Sequence, residues 1–144
     1  MGRERTILLL GRLRQRATKF MMERLREEGY APLAPAHGAI AALLRVRGPL
    51  AMSEIASLVE KRRPTVTSLV NRMVNEGVLE READPTDARV VRVRLTERGV
   101  LFGEAFDRVA KAVSARVTRG VATKNQDAFM EVLGQLLDNL DEYK

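Results

Sequence analysis

The sequence has no cysteine, no tryptophan and a single histidine. Without cysteine there can be no disulfide, no thiolate metal ligand and no thiol redox sensor. His37 alone cannot build a histidine-rich metal site. The apolar run from Ile7 to Leu10, flanked by arginines, is too short for a signal-peptide core and far short of a membrane span. A soluble, cytoplasmic chain is expected, with no membrane partner. Aromatic residues make up 4%, too few for platforms that stack single-stranded bases, which favours duplex over single-strand binding. The sequence also lacks a nucleophile–His–carboxylate set, a glycine-rich phosphate loop and metal-ligand spacing. The expectation is therefore no enzyme, no catalytic residue, no metal and no cofactor.

What is present is a chain of 144 residues with 45% apolar residues, enough for one domain with one core. The formal net charge is +6, which draws polyanions, so the placement of the charge decides its meaning. Residues 4 to 28 read as a helix, with Leu9, Leu13, Ala17, Phe20, Met21 and Leu25 at three- and four-residue steps. A second helix runs from Pro35 to Val46 and breaks at Gly48-Pro49. A short helix from Ser53 to Glu60 follows, with Ser53 as its expected N-cap. Pro64 suits the first position of a helix that runs to Glu76 and stops at Gly77.

Strands are expected at Val78 to Glu82 and Val90 to Leu95, joined by the turn cluster Asp84-Pro85-Thr86-Asp87. In the second strand Val91, Val93 and Leu95 alternate with Arg92 and Arg94, predicting one buried and one basic face. Thr96 can cap a helix reaching Thr118, and Asn125 or Thr123 can cap the last one. The fold class is mainly α with a small β-hairpin wing, a winged helix-turn-helix with N- and C-terminal dimerisation helices. One domain, 1–144, is expected: dimerisation helices at about 4–28 and 97–143, winged helix-turn-helix at about 35–96.

Two constellations carry function. From 61 to 72 there are four basic residues, Lys61, Arg62, Arg63 and Arg72, and no acidic one. Thr65, Ser68 and Arg72 share one helical face, and Val66, Leu69, Val70 and Met73 occupy the other. A helix with a dry back and a short, basic front fits a major groove about 12 Å wide. Thr67 and Ser68 can donate to phosphates or base edges, Asn71 can pair with adenine, and Arg72 with guanine. The second constellation is the hairpin tip, Asp84 to Arg89. Arg89 can enter a minor groove, with Asp87 holding its guanidinium in a bidentate pair. The apolar stripes of the terminal helices, Leu9 and Leu13 in one and Phe129, Leu133, Leu136 and Leu140 in the other, exceed what a small domain covers, so a second copy is expected against them.

Residues 125 to 144 carry five acids and one base, a net of −4, so the positive charge lies elsewhere. His37 could touch an effector or sense pH, but a solvated or hydrogen-bonded structural role is favoured; Met21 and Met22 could line a pocket, but packing is favoured; Asp138, Asp141 and Glu142 could regulate binding, but a solvated face is favoured.

Asp87-Ala88-Arg89, five residues, Leu95-Thr96, two residues and Gly99 resemble the wing signature of the MarR family of bacterial and archaeal regulators. The run Pro64 to Met73, followed by Glu76 to Arg81, is similar to that family's recognition helix and its exit into the wing. The resemblance implies a homodimer with interleaved terminal helices, a pseudo-palindromic operator in double-stranded DNA, and release by a small aromatic or phenolic effector. It implies DNA contacts by Thr65, Thr67, Ser68, Asn71 and Arg72, with Arg89 at the wing tip supported by Asp87. Ser53, Arg62 and Arg63 complete the expected DNA-binding set. Three positions depart from the pattern: Ala88 where a second basic residue is common, Ser68 where Arg is frequent, and Glu60 where turns often hold a small residue. The rival readings are a non-specific architectural DNA binder and a winged-helix protein-interaction module.

Overall fold

Apolar spacing and a few caps set the elements of the computed structural model, which describes residues 4–141. They are α1 (Arg5–Glu27), α2 (Pro35–Arg47), β1 (Leu50–Ala51), α3 (Met52–Leu58), α4 (Arg63–Asn75), β2 (Leu79–Ala83), β3 (Val91–Leu95), α5 (Glu97–Thr118) and α6 (Thr123–Asp141). The fold is mainly helical with a small antiparallel sheet of three strands in the order β1-β3-β2. The expected extension of the last helix to residue 143, and Glu142, lie outside the described residues.

The third strand was not expected. Leu50 and Ala51 pair with Val93 and Arg92. Two residues are too few to show a period-2 pattern, and the Gly48-Pro49 breaker beside them reads as loop. The first hairpin strand begins at Leu79 rather than Val78 because the Val78 N–H is spent on the Met73 carbonyl, closing α4. Val78 stays buried, and its own carbonyl accepts from the Thr96 N–H at 3.2 Å.

The caps correct two expectations. Ser53 is the second residue of α3 and exposed; the cap position falls on Ala51, whose N–H donates to the Glu54 carboxylate at 2.8 Å. At the start of α2, His37 does the same with its Nδ1, accepting from the Ala34 N–H at 2.8 Å. Both are half of a capping box, with the side chain three residues inside the helix reaching back. Pro64 is the second helical residue, one later than expected, because Arg63 already has helical form. Thr96 caps α5 as expected: its Oγ1 accepts from the Gly99 N–H at 3.0 Å. Neither Thr123 nor Asn125 stands at the cap of α6, since both lie within the helix.

The chain falls into two compact units, one ending at Val113 and the other beginning at Ser114. The first holds the core, in which Leu25, Leu33, Ile40, Ile55, Met73 and Phe102 are fully buried. The second contains α6, none of whose described residues is buried in the chain. No helix among the described residues is long and apolar enough to cross a membrane.

Candidate nucleic-acid interface

Helix α4 turns three apolar side chains inward and its polar ones outward. Val66, Val70 and Met73 are buried, while Thr65, Thr67, Ser68, Asn71 and Arg72 are exposed. Lys61, Arg62 and Arg63 are exposed in the preceding turn and at the first helical residue. Arg62 is extended (φ −66, ψ 147), so the chain enters the helix sharply and leaves these cations beside its N-terminus. That end carries free backbone N–H groups and the positive pole of the helix dipole. An anion placed there meets the side-chain charges and the peptide dipoles together.

The turn that delivers α4 is built at Glu60. The N–H of Glu60 bonds to the Ser57 carbonyl and that of Lys61 to the Ala56 carbonyl, a Schellman closure of α3. Glu60 has φ 54, in the left-handed region where side chains other than glycine are strained. The same closure ends α4, where Gly77 takes the position at φ 72 without that cost. The small residue expected at position 60 thus has a backbone reason, and Glu60 holds the turn under strain.

The wing tip is ordered by aspartates. Asp84 Oδ1 accepts from the Thr86 hydroxyl at 2.7 Å, the Thr86 N–H at 2.8 Å and the Asp87 N–H at 3.1 Å. These bonds, the Thr86 hydroxyl foremost, hold the Asp84 carboxyl below its ordinary range. Asp87 Oδ1 accepts from both the backbone N–H of Arg89 at 3.0 Å and its Nε at 3.2 Å. The expected bidentate pair is therefore replaced by a single oxygen that grips the Arg89 backbone and the root of its guanidinium. The Arg89 side chain is 92% exposed.

The expected basic face of the hairpin is corrected. Arg94 is paired with Glu80 and, at 3.4 Å, with Glu82. Arg92 reaches Asp84 at 3.7 Å and donates to the Pro49 carbonyl at 2.8 Å. The antiparallel register places Glu80 opposite Arg94 and Glu82 opposite Arg92, so the strand neutralises its own charge. The buried face is shorter than expected as well. Val93 is buried, but Val91, opposite Ala83 towards the tip, is exposed because the hairpin there has left the core.

The remaining signature residues join the wing to α5. Besides capping, the Thr96 hydroxyl donates to the Gly77 carbonyl at 2.6 Å. A Cβ on Gly99 would lie 2.0 Å from the Val78 carbonyl oxygen, so only glycine allows α5 to pass so close to the end of α4. Arg98, which sequence reasoning missed, donates to the Glu76 carbonyl at 3.0 Å and the Gly29 carbonyl at 3.2 Å, and stacks 4.9 Å over Tyr30. It closes the C-terminal ends of α1 and α4. Its place in the first turn of α5, two residues after the Thr96 cap, was the available signal. Arg81 was missed too: its Nη2 donates to Asn71 Oδ1.

His37, in α2, is buried. Burial foremost, assisted by the charge of Arg72, keeps its imidazole below the ordinary histidine value. The expected dimer residues Leu9, Leu13, Phe129, Leu136 and Leu140 are exposed in the single chain, Leu140 at 66%, and Leu133 is half-buried.

Comparison with known proteins gives one consistent picture. A family model described as MarR family matches residues 32–90. The chain is 30% identical over 128 residues to the HTH-type transcriptional regulator YkoM of Bacillus subtilis, covering 86% of this chain and 81% of that protein. It is 27% identical over 99 residues to the HTH-type transcriptional repressor IacR of Pseudomonas putida, with 69% of this chain covered. That match spans only 59% of the repressor's length. In structure the chain is similar to a mutant MarR of Escherichia coli complexed with operator DNA, with a TM-score of 0.76 at 20% identity over 95% of this chain and 99% of that one. At that identity the likeness speaks for the fold.

Proposed function

The chain belongs to the MarR family of transcriptional regulators, which are not enzymes, and on that premise we propose that it is a repressor binding a pseudo-palindromic operator as a homodimer. One observation supports the reading above all others. Arg62 and Arg63, exposed at the start of α4 with no ion pair among the described residues, accompany the exposed row Thr65, Ser68 and Arg72 on that helix, and Arg89 at the wing tip is exposed as well.

In the proposed complex two copies set their α4 helices roughly 34 Å apart, one turn of B-DNA, in successive major grooves. Ser53, Arg62 and Arg63 grip phosphates, while Thr65, Thr67, Ser68, Asn71 and Arg72 meet base edges or the flanking backbone. Arg89, steadied by Asp87, enters the adjacent minor groove. Phosphate contacts supply most of the affinity and make it fall with salt. The second copy covers the apolar stripe of α6, a helix with no buried described residue of its own. Leu9, Leu13, Phe129, Leu133, Leu136 and Leu140 line that contact. The protein then works in the cytoplasm on the chromosome. A small aromatic or phenolic effector would release it by favouring a dimer whose reading helices are wrongly spaced, without blocking the DNA face.

The test is selection of binding sites from genomic fragments with the purified protein, followed by footprinting and sedimentation. The expected result is a two-fold related footprint and a dimer that Leu136→Asp dissociates. Uniform protection without a preferred site would replace the reading with an architectural binder. Weak, salt-insensitive DNA affinity would replace it with a protein-interaction module. Release of the selected fragment by aromatic acids or phenols tests the effector.

A further inference from the structure

A side-chain hydrogen bond on the exposed face links α4 to the wing: Arg81 of β2 donates through Nη2 to the Oδ1 of Asn71. A guanidinium has five N–H donors and no acceptor, so an amide that meets it must present its oxygen. The orientation of Asn71 is thereby fixed, with oxygen towards Arg81 and the NH2 group turned away from it.

That orientation changes what Asn71 can recognise. A free asparagine reads adenine by accepting from N6 and donating to N7 at once. Here the accepting side is held against a cation. The oxygen keeps a second lone pair, but a base amino group brought to it would stand beside the Arg81 guanidinium, donor against donors. Guanine presents only acceptors, N7 and O6, at the same groove edge, and the Asn71 NH2 and the nearby positive charge both attract them.

We propose that Arg81 is a positioning residue for specificity: through its bond to Asn71 Oδ1 it converts that side chain from an adenine reader into a donor that prefers guanine. The proposal rests on α4 being the reading helix, as set out under the proposed function. Arg81 lies outside that helix and acts through Asn71.

Selection from a randomised duplex library, run with wild type, Arg81→Ala, Asn71→Ala and the double variant, tests it. Wild type is expected to select guanine at one position of each half-site. Arg81→Ala is expected to move that position towards adenine by roughly tenfold in relative affinity, leaving the other positions unchanged. Asn71→Ala is expected to lose the preference, and Arg81→Ala added to it should change nothing further there. An unchanged preference in Arg81→Ala, with only lower thermal stability, would make the bond a structural tie and overturn the proposal. An equal shift in the Asn71→Ala background would mean that Arg81 reads the base itself, and would overturn it too. Failure of wild type to select any sequence would defeat the reading-helix assignment, a result distinct from the other two.

Discussion

Residues 61–72 and strand β3 are both basic in sequence, yet only the first is basic in space. The first stretch has four cations and no acid within it. Strand β3 has Arg92 and Arg94, but its neighbour β2 carries Glu80 and Glu82 at the facing register positions, and the turn adds Asp84. An exposed pair such as Arg94–Glu80 contributes little stability, about 0–1 kcal/mol, but the carboxylate offsets the cation's charge. The lesson is that charge available to DNA depends on cross-strand register as well as on composition. In the hairpin, Arg89 extends into solvent at the tip, held only at its root by Asp87, while the arginines behind it serve the sheet.

The largest effect should come from the outward cations. Replacing Arg62, Arg63 and Arg89 together by alanine is expected to weaken operator binding roughly a thousandfold at low salt with no loss of fold, measured by fluorescence anisotropy and circular dichroism. Replacing Arg92 and Arg94 instead should change affinity less than about threefold; a comparable loss would erase the distinction between the two regions.

Next comes the joint that aims the wing. Gly99→Ala drives a methyl group into the Val78 carbonyl and should cost about 3 kcal/mol in urea denaturation. Unchanged stability would show that α5 and the wing base can separate freely.

Smaller still is the turn before α4. Glu60→Gly should raise stability by about 0.5–1 kcal/mol, the left-handed strain relieved less the entropy glycine loses. Glu60→Ala removes the same charge but keeps the strain, so it should bring no such gain. Equal gains in both variants would trace the effect to charge instead.

The smallest effect is a pH dependence. The His37 value is lowered in the folded protein, so its contribution to stability is complete above about pH 6.5 and declines as pH falls from there through the folded value. Protonation also removes the acceptor that holds the Ala34 N–H. Wild type should therefore lose stability relative to His37→Asn between pH 7 and 5, while the Asp84 contribution persists until lower pH. Parallel curves would contradict the capping role.

Helix α4 was legible because its signals are local: a proline near its start, apolar residues at helical spacing and a glycine at its end. The Thr96 cap was legible for the same reason. The cap of α3 was misread because Ser53 and Glu54 are both plausible partners, and only the backbone decides which residue lies outside the helix. Strand β1, the pairing of Arg92 and Arg94, and the Arg81–Asn71 bond all depend on which residues meet across the sheet or between elements. Sequence spacing carries that information only when a long alternating pattern fixes the register.

The salt dependence of operator affinity, compared for wild type, Arg89→Ala and Arg94→Ala, tests the central claim most directly. The slope of log affinity against log salt should become shallower by about 0.9 for Arg89→Ala, because one cation fewer displaces counterions from the groove, and stay at the wild-type value for Arg94→Ala. Equal slopes for wild type and Arg89→Ala, or a reduced slope for Arg94→Ala alone, would contradict the division between the outward tip and the neutralised strand.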